Sequence, residues 1–270
     1  MGDLLRLPEV ASAHGADLDR VTYLIHGLMA LLFVGWGVFL IYVLVRFRSS
    51  RQPKANPRGL QTRAGYWLEG LVATSEALLL VGLAIPLWSA RVDDFPPLAS
   101  ATQVRVIAEQ FAWNVHYPGP DGIFGRTAID LLDAASNPIG LDPEDPHGKD
   151  DFTTFNRLSL PVDRPAIISL TSKDVIHSFM LNEMRIKQDT IPGIVTPVWF
   201  TPTMTTAELR AKHGRDDLNF EIACAQLCGL GHYRMRGYLD ILPQAEFDTW
   251  MDEQLARKRE EEASGDSFWN

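Results

Sequence analysis

Two long apolar runs dominate the first third of this chain. Val21 to Val45 carries no charged side chain other than whatever proton His26 holds. As a helix rising 1.5 Å per residue it covers roughly 37 Å, more than the ~30 Å hydrocarbon core of a bilayer. Tyr66 to Ala90 follows, interrupted only by Glu69 and Glu76. Buried core helices rarely make two such runs so close together, so the pattern predicts a transmembrane hairpin over 21–90. Paired prolines in Asp93-Asp-Phe-Pro-Pro97 stop the second helix and start a stiff linker over 91–101.

Beyond the linker the period falls to two. Short strands are predicted around Val104–Ala108, Phe111–Tyr117, Arg157–Leu160, Pro165–Thr171, Val195–Thr201, Asn219–Cys224 and Gly237–Leu242. With no helix evident between them, they imply a sandwich or barrel over 102–243. Residues 118–155 interrupt the pattern with Pro-Gly-Pro-Asp-Gly, Asn137-Pro, Asp142-Pro and Asp145-Pro, and read as a long surface insertion that is functional or mobile. Phe247, Trp250, Met251 and Leu255 then form one stripe of a C-terminal helix, within a helix-and-tail segment over 244–270. The fold class is therefore a two-helix hairpin followed by an all-β domain.

Charge orients the hairpin. Arg46, Arg48, Arg51, Lys54, Arg58 and Arg63 lie between the spans, in a loop over 46–65, with no acid among them. Positive loops stay cytoplasmic, so residues 1–20 and everything after Arg91 face the opposite side. From Arg91 onward 28 acids stand against 17 bases, a net charge of −11. That balance suits a basic protein partner and argues against a nucleic-acid role. The first twenty residues lack the basic start, short apolar core and small-residue site of a cleavable signal.

The chemistry is concentrated in Cys224-Ala-Gln-Leu-Cys228-Gly-Leu-Gly-His232-Tyr-Arg-Met235. These are the chain's two cysteines. Thiolate, imidazole and thioether select copper or zinc over magnesium or calcium. His177, far upstream in Asp174-Val-Ile-His177, supplies a further imidazole. A disulfide is one reading of two cysteines in an exported domain, but it leaves His232, Met235 and His177 without a role. Zinc accepts two cysteines and two histidines but has little use for a thioether. A mononuclear blue-copper site needs one thiolate, not two. Two thiolates can instead bridge two copper ions, each with one imidazole and a weak axial ligand, a centre that passes single electrons.

The hairpin, the β domain and the spacing His177…Cys224-x3-Cys228-x3-His232-x2-Met235 resemble subunit II of haem–copper cytochrome c oxidase of the bacterial type, with a dinuclear CuA centre. Lys187-Gln-Asp189-Thr-Ile-Pro192-Gly193 is a second point of similarity. The resemblance implies a cupredoxin-like Greek-key barrel. It implies that Cys224 and Cys228 bridge the coppers, that His177 and Met235 serve one, and that His232 and the Gln226 backbone carbonyl serve the other. It implies electron transfer from a cytochrome c to haem in subunit I, where oxygen is reduced with proton translocation, and association with subunits I and III in a bacterial plasma membrane. No Cys-x-x-Cys-His is present, so no fused c-type haem is expected. The competing readings are a membrane-anchored copper-binding or copper-delivery protein and a quinol-oxidase relative. Such relatives lose the ligands kept here.

Departures from the family pattern carry expectations of their own. Gln226 stands where a glutamate is usual, so a magnesium or manganese ion at the subunit I boundary is not expected to be held firmly. Ile194 replaces an arginine common after the Pro-Gly pair. In Gln110-Phe111-Ala112-Trp113, Phe111 occupies the electron-entry position usually held by tryptophan, and Trp113 matches the inward-packing aromatic. Lys173 falls where an acidic docking residue is common, which implies a membrane-attached or dedicated cytochrome donor. Glu69 matches a carboxylate at a proton-channel entrance, and Glu76, seven residues on, shares its helix face. His116, His147 and His213 are read as structural or surface residues, His14 as part of a mobile tail, and Met180 and Met184 as core.

Overall fold

The computed structural model describes residues 5–54, 62–133 and 136–264. It divides into two compact units: one spans 16–94, and the other joins the N-terminal segment up to Gly15 to everything from Phe95 onward.

The helical unit follows directly from the apolar runs. Helix α1 covers Gly15–Arg46; α2 covers Ala64–Leu79 and continues through a widened π-turn, Leu80–Ala84, into α3, Ile85–Val92. Pro86 accounts for that turn. It has no N–H to give the carbonyl of Gly82, and its ring crowds that carbonyl, so the backbone opens by one residue. The apolar side chains are bare: Phe33 is 81% and Leu31 70% exposed. Polar groups are satisfied locally, with the Thr22 and Ser75 hydroxyls donating to the Leu18 and Leu71 carbonyls at 2.9 Å. Such a surface is stable only in hydrocarbon, and both helices are long and apolar enough to cross a membrane. Glu69 and Glu76 are exposed on α2. Arg58 lies outside the described residues.

The β unit is two five-stranded sheets face to face. Its strands are β1 (Thr102–Glu109), β2 (Ala112–Tyr117), β3 (Phe152–Phe155), β4 (Arg157–Pro161), β5 (Ala166–Ser172), β6 (His177–Leu181), β7 (Ile186–Thr190), β8 (Thr196–Phe200), β9 (Phe220–Cys224) and β10 (Arg236–Leu242). One sheet runs β3-β2-β1-β5-β8 and the other β4-β10-β9-β6-β7. Contacts β1–β5 and β10–β4 are parallel; the remaining pairs are antiparallel. Val104, Val106 and Ala108 point inward with Trp113, Tyr117, Phe179, Phe200 and Phe220, all buried in one core.

Several elements differ from the sequence expectation. Strands β3 and β7 lie at sheet edges and β6 is buried almost throughout, so none of the three is marked by alternation in the sequence. Helix α4 (Thr206–His213) interrupts the strands, although its capping box is legible: Thr205 Oγ1 accepts from the Glu208 N–H, and Glu208 accepts from the Thr205 N–H at 2.7 Å. Gly214 closes it in the left-handed conformation, φ +62°.

The excursion between Tyr117 and Phe152 is ordered by carboxylates and one amide. Asp151, fully buried, accepts from His116 Nε2 at 2.6 Å and from the N–H groups of Gly125 at 2.8 Å and Gly119 at 3.3 Å. Asn137 donates to the Leu131 and Leu141 carbonyls and accepts from the Leu141 N–H. Helix α5 (Gln244–Ser264) covers this end of the sandwich, with the Trp250 ring 5.2 Å from Tyr117 and 5.8 Å from Phe152.

The N-terminal segment is also packed, and His14 is not in a mobile tail. The Ala11 N–H donates to the Glu183 carbonyl at 2.9 Å, the Ala11 carbonyl accepts from the Thr203 N–H at 2.9 Å, and the Ser12 hydroxyl donates to the Met184 carbonyl. Ala11, Ser12 and His14 are all buried against the β unit. The sequence hides this because the segment is held through its backbone, which carries no residue signature.

Candidate metal centre

Strand register brings the distant histidine to the cysteine loop. Phe179 pairs with Cys224 and Met180 with Ala223, so His177 lies past the end of β9, over the loop that follows Cys224. The Ala225 N–H donates to the Ser178 carbonyl at 2.9 Å and fixes where that loop leaves the sheet. A single helical turn, His232–Arg234, returns the chain to β10. The loop from 224 to 235 is thereby closed over one end of its sheet.

Inside it the donor atoms converge. Cys224 Sγ and Cys228 Sγ are 3.8 Å apart, and both are free thiols. Cys228 Sγ lies 3.6 Å from His232 Nδ1 and 3.7 Å from Met235 Sδ, and Cys224 Sγ lies 3.2 Å from the Gln226 carbonyl oxygen. A ligand atom of His177 lies within 4.8 Å of both thiols. His177 is completely buried; its Nε2 is held by Asp174 Oδ1 at 2.8 Å, while Nδ1 is buried without a hydrogen-bond partner.

The electrostatics favour a cation. Burial opposes a charged His177 imidazole, but its interactions with Cys224 and Asp174 prevail and raise its pKa. Burial likewise opposes a Cys224 thiolate, yet His177 and the Ser178 and Gln226 backbone bring its pKa down to about 6. Cys228 is pushed up to about 11, by burial first and then by the neighbouring Cys224. The first proton of the pair leaves more easily than the second, which a bound cation would help to displace. A buried imidazole within 4.8 Å of such a pair fits a thiophilic metal. The carboxylate behind His177 is the partner that orients ligating imidazoles.

The surroundings differ in part from expectation. Trp113 is fully buried with its ring edge-on to His177 (centroids 6.3 Å apart) and to Phe179 (5.6 Å). Phe111 is only half exposed, because the turn at Gly229–Gly231 runs across its ring; a Cβ on Gly231 would sit 2.5 Å from Phe111 Cδ2. Gln110 clamps the same turn, donating from Nε2 to the Cys228 carbonyl at 2.6 Å. The apolar groups that meet solvent are Leu227, Leu230 (97% exposed) and Tyr233 (85%), with Val175 and Ile176 beside His177. Sequence reading missed them, though the signal was present: ligand-type residues at 224, 228, 232 and 235 turn inward and leave the intervening apolar positions outside. Glu69 and Glu76 belong to the helical unit, and the Gln226 side chain is exposed.

Residues 102–241 match the family described as cytochrome c oxidase subunit II, periplasmic domain. This chain belongs to the cytochrome c oxidase subunit II family. It is 32% identical over 242 residues to the alternative cytochrome c oxidase subunit 2 of Bradyrhizobium diazoefficiens, covering 88% of this chain and 79% of that one. It is 28% identical over 235 residues to the haem–copper oxidase subunit 2 of Aeropyrum pernix, covering 80% and 84%. Among solved structures, the periplasmic domain of subunit II of the Bradyrhizobium japonicum cytochrome oxidase aligns with a TM-score of 0.41 and 23% identity, over 60% of this chain and 97% of that one. The two facing sheets are the cupredoxin-like domain of subunit II. Its relatives are subunits of haem–copper oxidases, a class of oxidoreductase complexes, and membership implies copper binding. The two apolar helices anchor the subunit in a membrane, with the β domain on the outer side.

Proposed function

We propose that this subunit is the electron-entry point of a bacterial terminal oxidase, receiving single electrons from a cytochrome c and passing them to haem in subunit I. The observation that carries the reading is the buried His177 imidazole, with a ring nitrogen within 4.8 Å of two free thiols that lie 3.8 Å apart. Cys224, Cys228, His177, His232, Met235 and the Gln226 carbonyl would hold two copper ions. When bound, the copper pair supplies reversible one-electron storage. Asp174 holds His177 in one orientation, and the buried Trp113 limits how far its ring can turn. Gln110 and the glycine turn keep the ligand loop from relaxing, so the donors stay in place whatever the charge between them. With hard-ion chemistry at Gln226 limited to a neutral amide, the subunit I boundary lacks a carboxylate there for magnesium or manganese.

The reading is tested by metal analysis of the purified full chain. Two coppers per chain and a mixed-valence electron paramagnetic resonance signal are expected. One zinc, or a Cys224–Cys228 disulfide in the working protein, removes it. Leu227, Leu230, Tyr233, Val175 and Ile176 form the water-excluding surface through which the donor is met, around the half-covered Phe111. Replacing Leu230 by aspartate should raise KM for the cytochrome about tenfold while kcat stays within about twofold. Equal KM values in the two proteins would place donor docking elsewhere. On the helical unit, Glu69 and Glu76 are proposed to serve proton entry to subunit I, a role that unchanged proton uptake in Glu69→Ala and Glu76→Ala oxidases excludes.

A further inference from the structure

Lys173 precedes Asp174, the carboxylate that holds His177. Its side chain does not reach out to a docking partner: it is 14% exposed and turned inward. Nζ donates to the Pro138 carbonyl at 2.6 Å and pairs with Glu109, whose side chain is 26% exposed. Glu109 in turn accepts from Nδ2 of the buried Asn114 at 2.9 Å. The Lys173 N–H donates to the Ala108 carbonyl at 2.9 Å. One residue along on both segments, the Gln110 N–H donates to Asp174 Oδ2 at 2.7 Å. The end of β1 and the turn before β6 are therefore joined by two adjacent rungs, Glu109–Lys173 and Gln110–Asp174. The first rung also grips the excursion at a buried corner, residues 138–140. Gly140 there has φ +66°, and a Cβ would collide with the Ala128 carbonyl, so the corner has little freedom to follow a displaced lysine.

We propose that Lys173 is a positioning residue for the metal centre. By fixing the first rung it sets where Asp174 stands, and Asp174 sets the orientation of the His177 ring. The excursion is thereby coupled to His177 through Lys173 and Asp174. A largely buried ion pair contributes little net stability over apolar residues of the same shape, whereas removing one member strands the other. That difference separates positioning from packing: an apolar pair can restore stability without restoring the rung. The expected cation at the docking edge is in fact neutralised, so the choice of donor does not rest on Lys173.

The inference rests on the copper reading, and its test keeps the two apart. The full chain is purified in detergent, loaded with copper, and compared with Lys173→Met, Glu109→Gln and the double replacement Lys173→Met with Glu109→Leu. The single variants should bind as much copper as the unaltered chain. They should show an altered copper hyperfine splitting and a displaced near-infrared band, and lose copper to a chelator about tenfold faster, the low end of the range for partners behind metal ligands. The double variant should regain thermal stability and keep the altered spectrum. Unaltered spectra and chelator rates in the single variants overturn the proposal, as does a double variant with a restored spectrum. If Lys173→Met fails to fold, Glu109→Gln decides on the same readings. An unaltered chain that binds no copper overturns the copper reading instead. The rung is then judged by the rate of Cys224 alkylation in metal-free protein, which both single variants must change; a rate equal to that of the unaltered chain overturns the proposal.

Discussion

Replacing Cys228 by serine should abolish the two-copper signal and slow electron entry from the cytochrome by more than about a hundredfold, while the β domain stays folded. Cys228 is the hub of the donor set: its sulfur approaches Cys224 Sγ, His232 Nδ1 and Met235 Sδ within 3.8 Å. A serine hydroxyl there is a hard donor that keeps its proton near neutral pH, so it can neither bridge two soft ions nor spread charge between them. Partners behind metal ligands already cost about 10- to 100-fold when removed, and loss of a proposed ligand itself should exceed that. Copper content, the paramagnetic resonance spectrum and turnover with cytochrome give the answer. A Cys228→Ser protein with two coppers and the native spectrum would sink the ligand role proposed for Cys228.

Replacing Asp151 by alanine should destabilise the β domain by about 3–5 kcal/mol. The carboxylate serves three donors in a fully buried place: His116 Nε2 and the N–H groups of Gly119 and Gly125. Alanine leaves all three without an acceptor, where water cannot take over. Because a carboxylate can only accept from His116, the imidazole carries its proton on Nε2. Burial holds the His116 pKa below the usual imidazole value, against the opposing pull of Asp151. The unfolded chain therefore takes up a proton before the folded one does. The contribution of this site is intact above the ordinary imidazole pKa and is lost as the pH falls through the lowered folded-state value. Chemical unfolding at neutral and mildly acidic pH measures both effects. A midpoint shift in Asp151→Ala below about 1 kcal/mol would show that the excursion is anchored elsewhere.

The two predictions divide along the line between what could and could not be read from residues. The hairpin was legible because unbroken apolar length has few other physical explanations. The ligand set was legible because Cys, Cys, His and Met crowd into twelve positions and chemistry limits what such a set can bind. Most strands of the β domain showed their alternation. Strands β3, β6 and β7 did not: two are edge strands, and His177–Leu181 is buried almost throughout, which removes the polar half of the pattern. Helix α4 was overlooked although Thr205-x-x-Glu208 and Gly214 marked both of its ends. Asp151 could not be ranked above the other acids of an acidic excursion, because its importance lies in three donors brought to it by the fold.

By itself, the order of residues determined that a membrane-anchored β domain presents a soft-metal donor set, since length, charge bias and donor type are properties of the chain. Tertiary structure alone decided which atoms meet. Strand register carried His177 to Cys224, Gln110 and Asp174 were brought together across 64 positions, and Lys173 was turned inward to Glu109 and Pro138. The physical reason is that pairing between distant strands, and burial of a charge beside its partner, depend on three-dimensional packing that no local pattern encodes.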